Sequence, residues 1–247
     1  IGWCDWSSDV CSSDLVRYVP TPLSLQGKEF ILVDEVSRAH PALQNKWLEI
    51  IRSRRVMGIE LPELRFVFGA MNPAGLPGTV ALDDALAGRF TFHVAVPDIT
   101  RMDERDRHAV IESGDTIDSA GRPEGSYLRW FIRGVRDAMG LVNGTSGPEI
   151  TRYIDALSSY LASKGWKLDG RRQAMMRRGL VTLIATKKLL TGHMPQSSDL
   201  PSIFRRGIDF LLPWNAMGRE IPMIILDAAH GFRSEERRVG KECTIQC

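Results

Sequence analysis

The sequence predicts an α/β protein: a partial, doubly wound parallel sheet followed by a small all-helical domain. Three observations predict it. Short apolar runs at 30–33, 65–70 and 91–96 alternate with helical patterns, the arrangement that builds a parallel sheet with helices on its faces. Beyond Pro97 helical periodicity has no competing strand pattern. The composition, 43% hydrophobic and 25% charged over 247 residues, is that of a globular chain long enough to bury a core in one or two domains.

Each element has a local reason. Phe30-Ile-Leu-Val33 is a continuous apolar run, which suits a strand buried on both faces, and it runs into Asp34 and Glu35. After Pro41, the residues Leu43, Trp47, Ile50 and Ile51 recur at helical spacing and predict an amphipathic helix through Arg55. Residues 65–70, RFVFGA, predict a second strand, followed by a turn rich in Asn, Pro and Gly over 72–78. A short helix at 82–87 leads to a third strand, TFHVAV at 91–96, stopped by Pro97. Residues 101–125 are polar and contain glycine, and read as a short helix plus linker. Helices are predicted at 127–139, 149–164 and 171–190, separated by Gly and Pro signals, with a weaker one at 202–212. Trp47 and Trp130 fall on apolar helix faces and read as core.

The two ends read differently from the middle. Cys4, Cys11, Cys243 and Cys247 all lie in them, and their spacing with no histidine nearby argues against a zinc site. Asp5 to Leu15, DWSSDVCSSDL, and Arg233 to Cys243, RSEERRVGKEC, resemble the translations of the two opposite short-read sequencing adapters. Residues 1–15 and 233–247 are therefore expected to be assembly artefacts. Without them 217 residues remain, Val16 to Phe232, with 28 basic and 24 acidic side chains and no cysteine. The net charge, +4 in place of +2, is too small to imply a strongly basic or acidic partner surface. A cysteine-free segment with no basic-then-apolar leader leads to an expectation of cytoplasmic localisation. The longest apolar run, Ile221 to Leu226, falls far short of the roughly 20 residues that span a bilayer.

Three short motifs carry chemistry. A carboxylate at the C-terminal tip of a parallel strand faces the crevice where α/β sheets bind ligands. Asp34 suits a magnesium ion held through water, and Glu35 suits orienting or deprotonating an attacking water. Taken alone the pair reads more readily as a strand followed by an acidic loop, since such pairs are common. Asn72, at the tip of the next strand, offers an amide to the same water or to a γ-phosphate, although Asn72-Pro73 alone is a turn dipeptide. Arg89, in LDDALAGRF between helix and strand, reads singly as a surface charge.

In this order and spacing the motifs resemble those of the MoxR-like AAA+ ATPases. The residues that carry the resemblance are FILVDEVSRAHPALQNKWLEIIRSRRVMG, LPELRFVFGAMNPAG, LDDALAGRF and VAVPD. The resemblance implies that Asp34 and Glu35 are the Walker B pair, Asn72 the polar sensor, and Arg89 the arginine finger that reaches a neighbouring subunit's γ-phosphate. The helical half then resembles the AAA+ lid. Arg172, or Arg171 beside it, aligns with the lid's sensor arginine, which grips the β- or γ-phosphate. A solvated basic helix face is the plainer reading, since Arg177, Arg178, Lys187 and Lys188 follow. The implied organisation is the C-terminal part of an AAA+ core over 16–100, a linker over 101–125 and the lid over 126–232.

One departure is large. No GxxxxGK[ST] occurs in the chain; Gly27-Lys28 is followed by Glu29, and Pro22 stands where the first glycine belongs. In the family that phosphate-binding loop lies upstream of the Walker B strand, together with the strand that separates the sensor strand from the finger strand. The polypeptide alone is accordingly expected neither to bind ATP tightly nor to fold stably.

The resemblance implies a Mg2+-dependent ATPase with ATP and Mg2+ as cofactors. Its work would be done in a ring, expected to be a hexamer because the finger acts across a subunit interface. The implied partners are a client protein to be remodelled or matured and a protein with a von Willebrand factor A domain. Two other readings stay open: a non-hydrolysing AAA+ scaffold, and a DNA-dependent AAA+ motor, for which no nucleic-acid-reading motif is visible. The histidines, His40, His93, His108, His193 and His230, are scattered without metal-binding spacing.

Overall fold

The computed structural model describes residues 21, 24–72, 79, 82–113, 125–217 and 219–231. Both adapter-like ends with their cysteines, the turn residues 73–78 and the linker residues 114–124 lie outside the described residues. The chain divides into two compact units, 1–72 and 73–247.

In the first unit Phe30–Val33 forms strand β1 and Phe66–Gly69 forms β4, a parallel pair in the register Phe30 to Phe66 and Val33 to Gly69. Helix α1, Pro41–Ser53, connects them. Its start has Pro41 at the first position, where the missing N–H is not needed, and His40 Nδ1 accepts from the Ala42 N–H at 3.3 Å. Its end is the left-handed Arg54, whose N–H returns to the Ile50 carbonyl. Arg54 then turns its guanidinium onto the Ile51 carbonyl at 3.0 Å, placing a cation at the negative helix end.

The predicted helix thus ends before Arg55, because Arg55–Val56 (β2) and Ile59–Glu60 (β3) form an antiparallel hairpin. Met57 and Gly58, both at positive φ, make its two-residue turn. Among the described residues, Ile31, Val33, Val36, Ile50, Leu61 and Leu64 are the buried apolar side chains of this unit.

Burial on both faces of β1 does not hold. Ile31 and Val33 are buried while Phe30 and Leu32 are exposed, so the strand alternates with period two. Phe30 stacks on Phe68 of β4 on the uncovered face, ring centroids 4.8 Å apart.

The second unit is helical. It comprises α2 (Asp84–Ala87), α3 (Glu104–Ser113), α4 (Gly125–Ser163), α5 (Gly170–Thr191), α6 (Leu200–Leu211) and a last helix, α7, at 223–231. The predicted third strand at 91–96 is not one. Among the described residues it pairs with no strand; instead the His93 N–H donates to the Phe210 carbonyl at 2.7 Å, and Val94 and Val96 are exposed. A strand exists only through its ladder, and an apolar pattern without a neighbour stays irregular.

The two helices predicted at 127–139 and 149–164 are one, α4, which runs 39 residues through Pro148. Trp130 is exposed on it rather than in the core. The core lies where α4, α5 and α6 meet, and includes Val142, Tyr153, Leu157, Met176, Leu180, Ile184, Phe204, Ile208 and Leu211. Two glycines let α5 and α6 approach. A Cβ at Gly179 would lie 2.4 Å from Leu211 Cδ2, and one at Gly207 would lie 2.7 Å from Leu180 Cδ2. Among the described residues no helix is long and apolar enough to cross a membrane.

Candidate functional site

Parallel pairing decides where the first group of predicted residues lies. Because β1 and β4 run the same way in register, both chains leave the pair at one edge. Two hydrogen bonds lock that edge: the Ala70 N–H donates to Val33 O at 2.8 Å, and the Val36 N–H donates to Ala70 O at 3.0 Å. Asp34 and Glu35 occupy the turn between them on one chain, and Asn72 follows two residues after Ala70 on the other.

Asp34 is exposed, and its Oδ1 accepts the Glu35 N–H at 2.8 Å. That bond fits a backbone in which Glu35 has φ 49° and ψ 40°, the left-handed region that costs a non-glycine residue about 1 kcal/mol. The Glu35 carboxylate points back to Arg38, with Nη1 to Oε1 at 3.0 Å and both side chains about half exposed. Sequence reasoning passed over Arg38. The signal was its spacing, three residues on, where a helical turn returns to Glu35. Asn72 is half-buried.

Magnesium bound with a nucleotide needs one or two carboxylates, the rest of its shell being phosphate oxygens and water. Asp34 meets that demand as an exposed strand-tip carboxylate. Among the described residues no group of three His, Cys, Asp or Glu side chains stands close enough to hold an ion by protein ligands alone.

The second group lies in the helical unit. Asp83 caps α2, its Oδ1 accepting from the Ala85 and Leu86 N–H groups at 2.9 and 3.2 Å. The helix ends in a turn in which the Arg89 N–H donates to Leu86 O and the Phe90 N–H to Ala87 O. Arg89 is half-buried in that turn.

The two sensor candidates part company. Asp169 caps α5 by accepting the Arg172 N–H at 2.7 Å, which sets the phase of the first turn. Arg171 is exposed, whereas Arg172 is only 4% exposed. The Arg172 guanidinium donates to the carbonyls of Phe90 at 2.9 Å, Ala87 at 3.2 Å, Leu211 at 3.4 Å and Thr91 at 3.5 Å. It therefore sits on the negative ends of both α2 and α6, where unpaired carbonyls accumulate and a cation is favoured. Burial pulls its pKa below the ordinary value, opposed by the Asp169 carboxylate. In sequence the signal was phase: Arg172, Met176, Gly179, Leu180 and Ile184 share the buried stripe of α5, and Arg171 does not.

His93 belongs to the same cluster. Its Nε2 lies 3.1 Å from Ala87 O, so Nε2 carries the proton and donates. Burial, then the adjacent positive charge of Arg172, lower its pKa to about 4, although the bond to Ala87 opposes them. Sequence spacing gave no hint of this role.

No protein-family model, curated protein or solved structure matches the chain.

Proposed function

We propose that the chain is part of a MoxR-like AAA+ ATPase that hydrolyses ATP with Mg2+ to remodel or mature a client protein. The observation that carries the reading is the in-register parallel pairing of Phe30–Val33 with Phe66–Gly69, which sends Asp34-Glu35 and Asn72 out at one edge. That is the arrangement a Walker B pair and a polar sensor need if both are to act on one attacking water.

In this reading Asp34 holds Mg2+ through water, Glu35 orients or deprotonates the nucleophilic water, and Asn72 fixes it. Arg89 is the finger offered to the next subunit of a ring, for which a hexamer is the expected closure. Of the two lid arginines, Arg171 takes the phosphate-sensing role, because its side chain is exposed while that of Arg172 is committed to backbone carbonyls. The partner class that fits is a client presented by a von Willebrand factor A domain protein, in the cytoplasm.

Hydrolysis also takes a GxxxxGK[ST] loop, which the 247-residue sequence does not contain. The test is to read the source gene upstream of the codon for Val16 and assay the protein it encodes. A GxxxxGK[ST] there, with Mg2+-dependent ATP hydrolysis by the product, supports the reading. An upstream sequence without one, or a product that neither binds nor hydrolyses ATP, overturns it.

A further inference from the structure

We infer that Arg172 is a positioning residue for Arg89, fixing the turn that presents it rather than touching a nucleotide. The functional consequence rests on the reading of Arg89 as the finger; the physical coupling does not.

The carbonyls that Arg172 holds bracket Arg89 in sequence. Ala87 precedes it by two residues, and Phe90 and Thr91 follow it directly. A guanidinium is suited to this task because its donors are spread over a rigid plane and can serve several acceptors at once. The same group also donates to Leu211 at the end of α6, and its own backbone N–H is held by Asp169 at the start of α5.

His93 closes the loop from the other side, with its ring on Ala87 O and its N–H on Phe210 O. Residues 87–93 are thereby tied to the start of α5 and the end of α6 through the Arg172 side chain and the His93 backbone N–H. A shift of the first turn of α5 moves Arg172, and with it the turn that carries Arg89. Arg172→Lys keeps the charge but replaces two nitrogens with one, where Nη1 serves Phe90, Thr91 and Leu211 and Nη2 serves Ala87 on the other side of Arg89.

Hydrogen exchange on the full chain tests the coupling. In Arg172→Gln the amides of Arg89, Phe90 and His93 should lose protection by roughly tenfold or more, while those of 150–161 and 180–185 in the core keep theirs; Arg172→Lys should fall between. Wild-type protection of these three amides in a folded Arg172→Gln overturns the inference. Should Arg172→Gln fail to fold, Arg172→Lys decides, and unchanged protection in it is equally fatal.

Kinetics of the ATP-hydrolysing protein separate the two roles. Positioning through Arg89 predicts that Arg172→Lys lowers kcat with KM kept, whereas a phosphate contact predicts a raised KM, which would overturn the inference. Normal turnover in Arg89→Ala would remove the finger reading while leaving the exchange result intact.

Discussion

Arg177 donates to Asn143 Oδ1 at 2.6 Å, and through Nε to Thr151 Oγ1 at 3.0 Å. Asn143 and Thr151 lie on either side of Pro148 in α4. One side chain of α5 therefore bridges the point at which α4 lacks a backbone N–H. Gly147 makes room for it: a Cβ there would stand 3.0 Å from the guanidinium. A proline inside a helix costs about 3 kcal/mol, enough to end most helices. Tertiary packing against α5, with this bridge across it, overrides that cost.

Arg177→Ala should accordingly destabilise the fold by about 1.5–3 kcal/mol, the range for hydrogen bonds from a charged group. Chemical denaturation measures the loss. Hydrogen exchange should locate it at residues 144–147. An unchanged midpoint would show that the bridge contributes nothing.

The same clamp explains what the sequence left unreadable. Gly and Pro signals near 148 were correct about local preference, and wrong about outcome because their override comes from Arg177, some 30 residues away in the chain. The strands at 30–33 and 66–69 were legible because apolar β-branched runs and their mutual partner were both present. The run at 91–96 had the same local pattern without a partner, so His93 found Phe210 instead. Within the candidate site, Asp34, Glu35 and Asn72 were readable from residue type and order. Residue type alone does not separate Arg172 from Arg171; the helix phase does, since only Arg172 falls on the stripe running to Ile184.

Acid stability should report His93. Its folded pKa of about 4 lies below the ordinary 6.5, so between those values the unfolded chain binds the proton more readily than the folded one. The stability from burying it neutral is fully present above about pH 6.5, falls as pH drops toward 4, and levels off below. The shift sets an upper bound of about 3 kcal/mol. His93→Gln keeps a donor for Ala87 O and removes the titration. Denaturation midpoints from pH 7 to pH 4 should therefore decline less steeply in the variant than in the wild type. Parallel slopes would refute the assignment.

Two glycines in the helical unit should respond oppositely to alanine. Gly140 of α4 is exposed, and a Cβ added there would meet nothing within 4 Å, so Gly140→Ala should stabilise by about 0.5–1 kcal/mol through backbone entropy. Gly179 of α5 faces the fully buried Leu211, which a Cβ would approach to 2.4 Å. There the same entropic gain meets an overpacking cost of about 1–3 kcal/mol. The steric term wins, and Gly179→Ala should lower Tm while Gly140→Ala raises it. A rise in both would mean that α5 and α6 are free to separate.

The edge formed by β1 and β4 yields the functional prediction. Glu35 is held by Arg38 at 3.0 Å on an exposed turn, so replacing its carboxylate by an amide leaves the backbone and the neighbouring Asp34 in place. On the proposed reading, in a protein that carries a phosphate-binding loop ahead of Val16, Glu35→Gln should bind ATP with Mg2+ as the wild type does and lose turnover by about 100-fold or more, the scale of a missing general base. On the same reading Asp34→Asn should instead weaken the Mg2+ dependence itself, because it removes the carboxylate assigned to the ion rather than the one assigned to the water. Nucleotide binding followed by fluorescence, set beside phosphate release, separates the two. If Glu35→Gln hydrolyses ATP normally, the base lies elsewhere and the Walker B assignment of this edge fails.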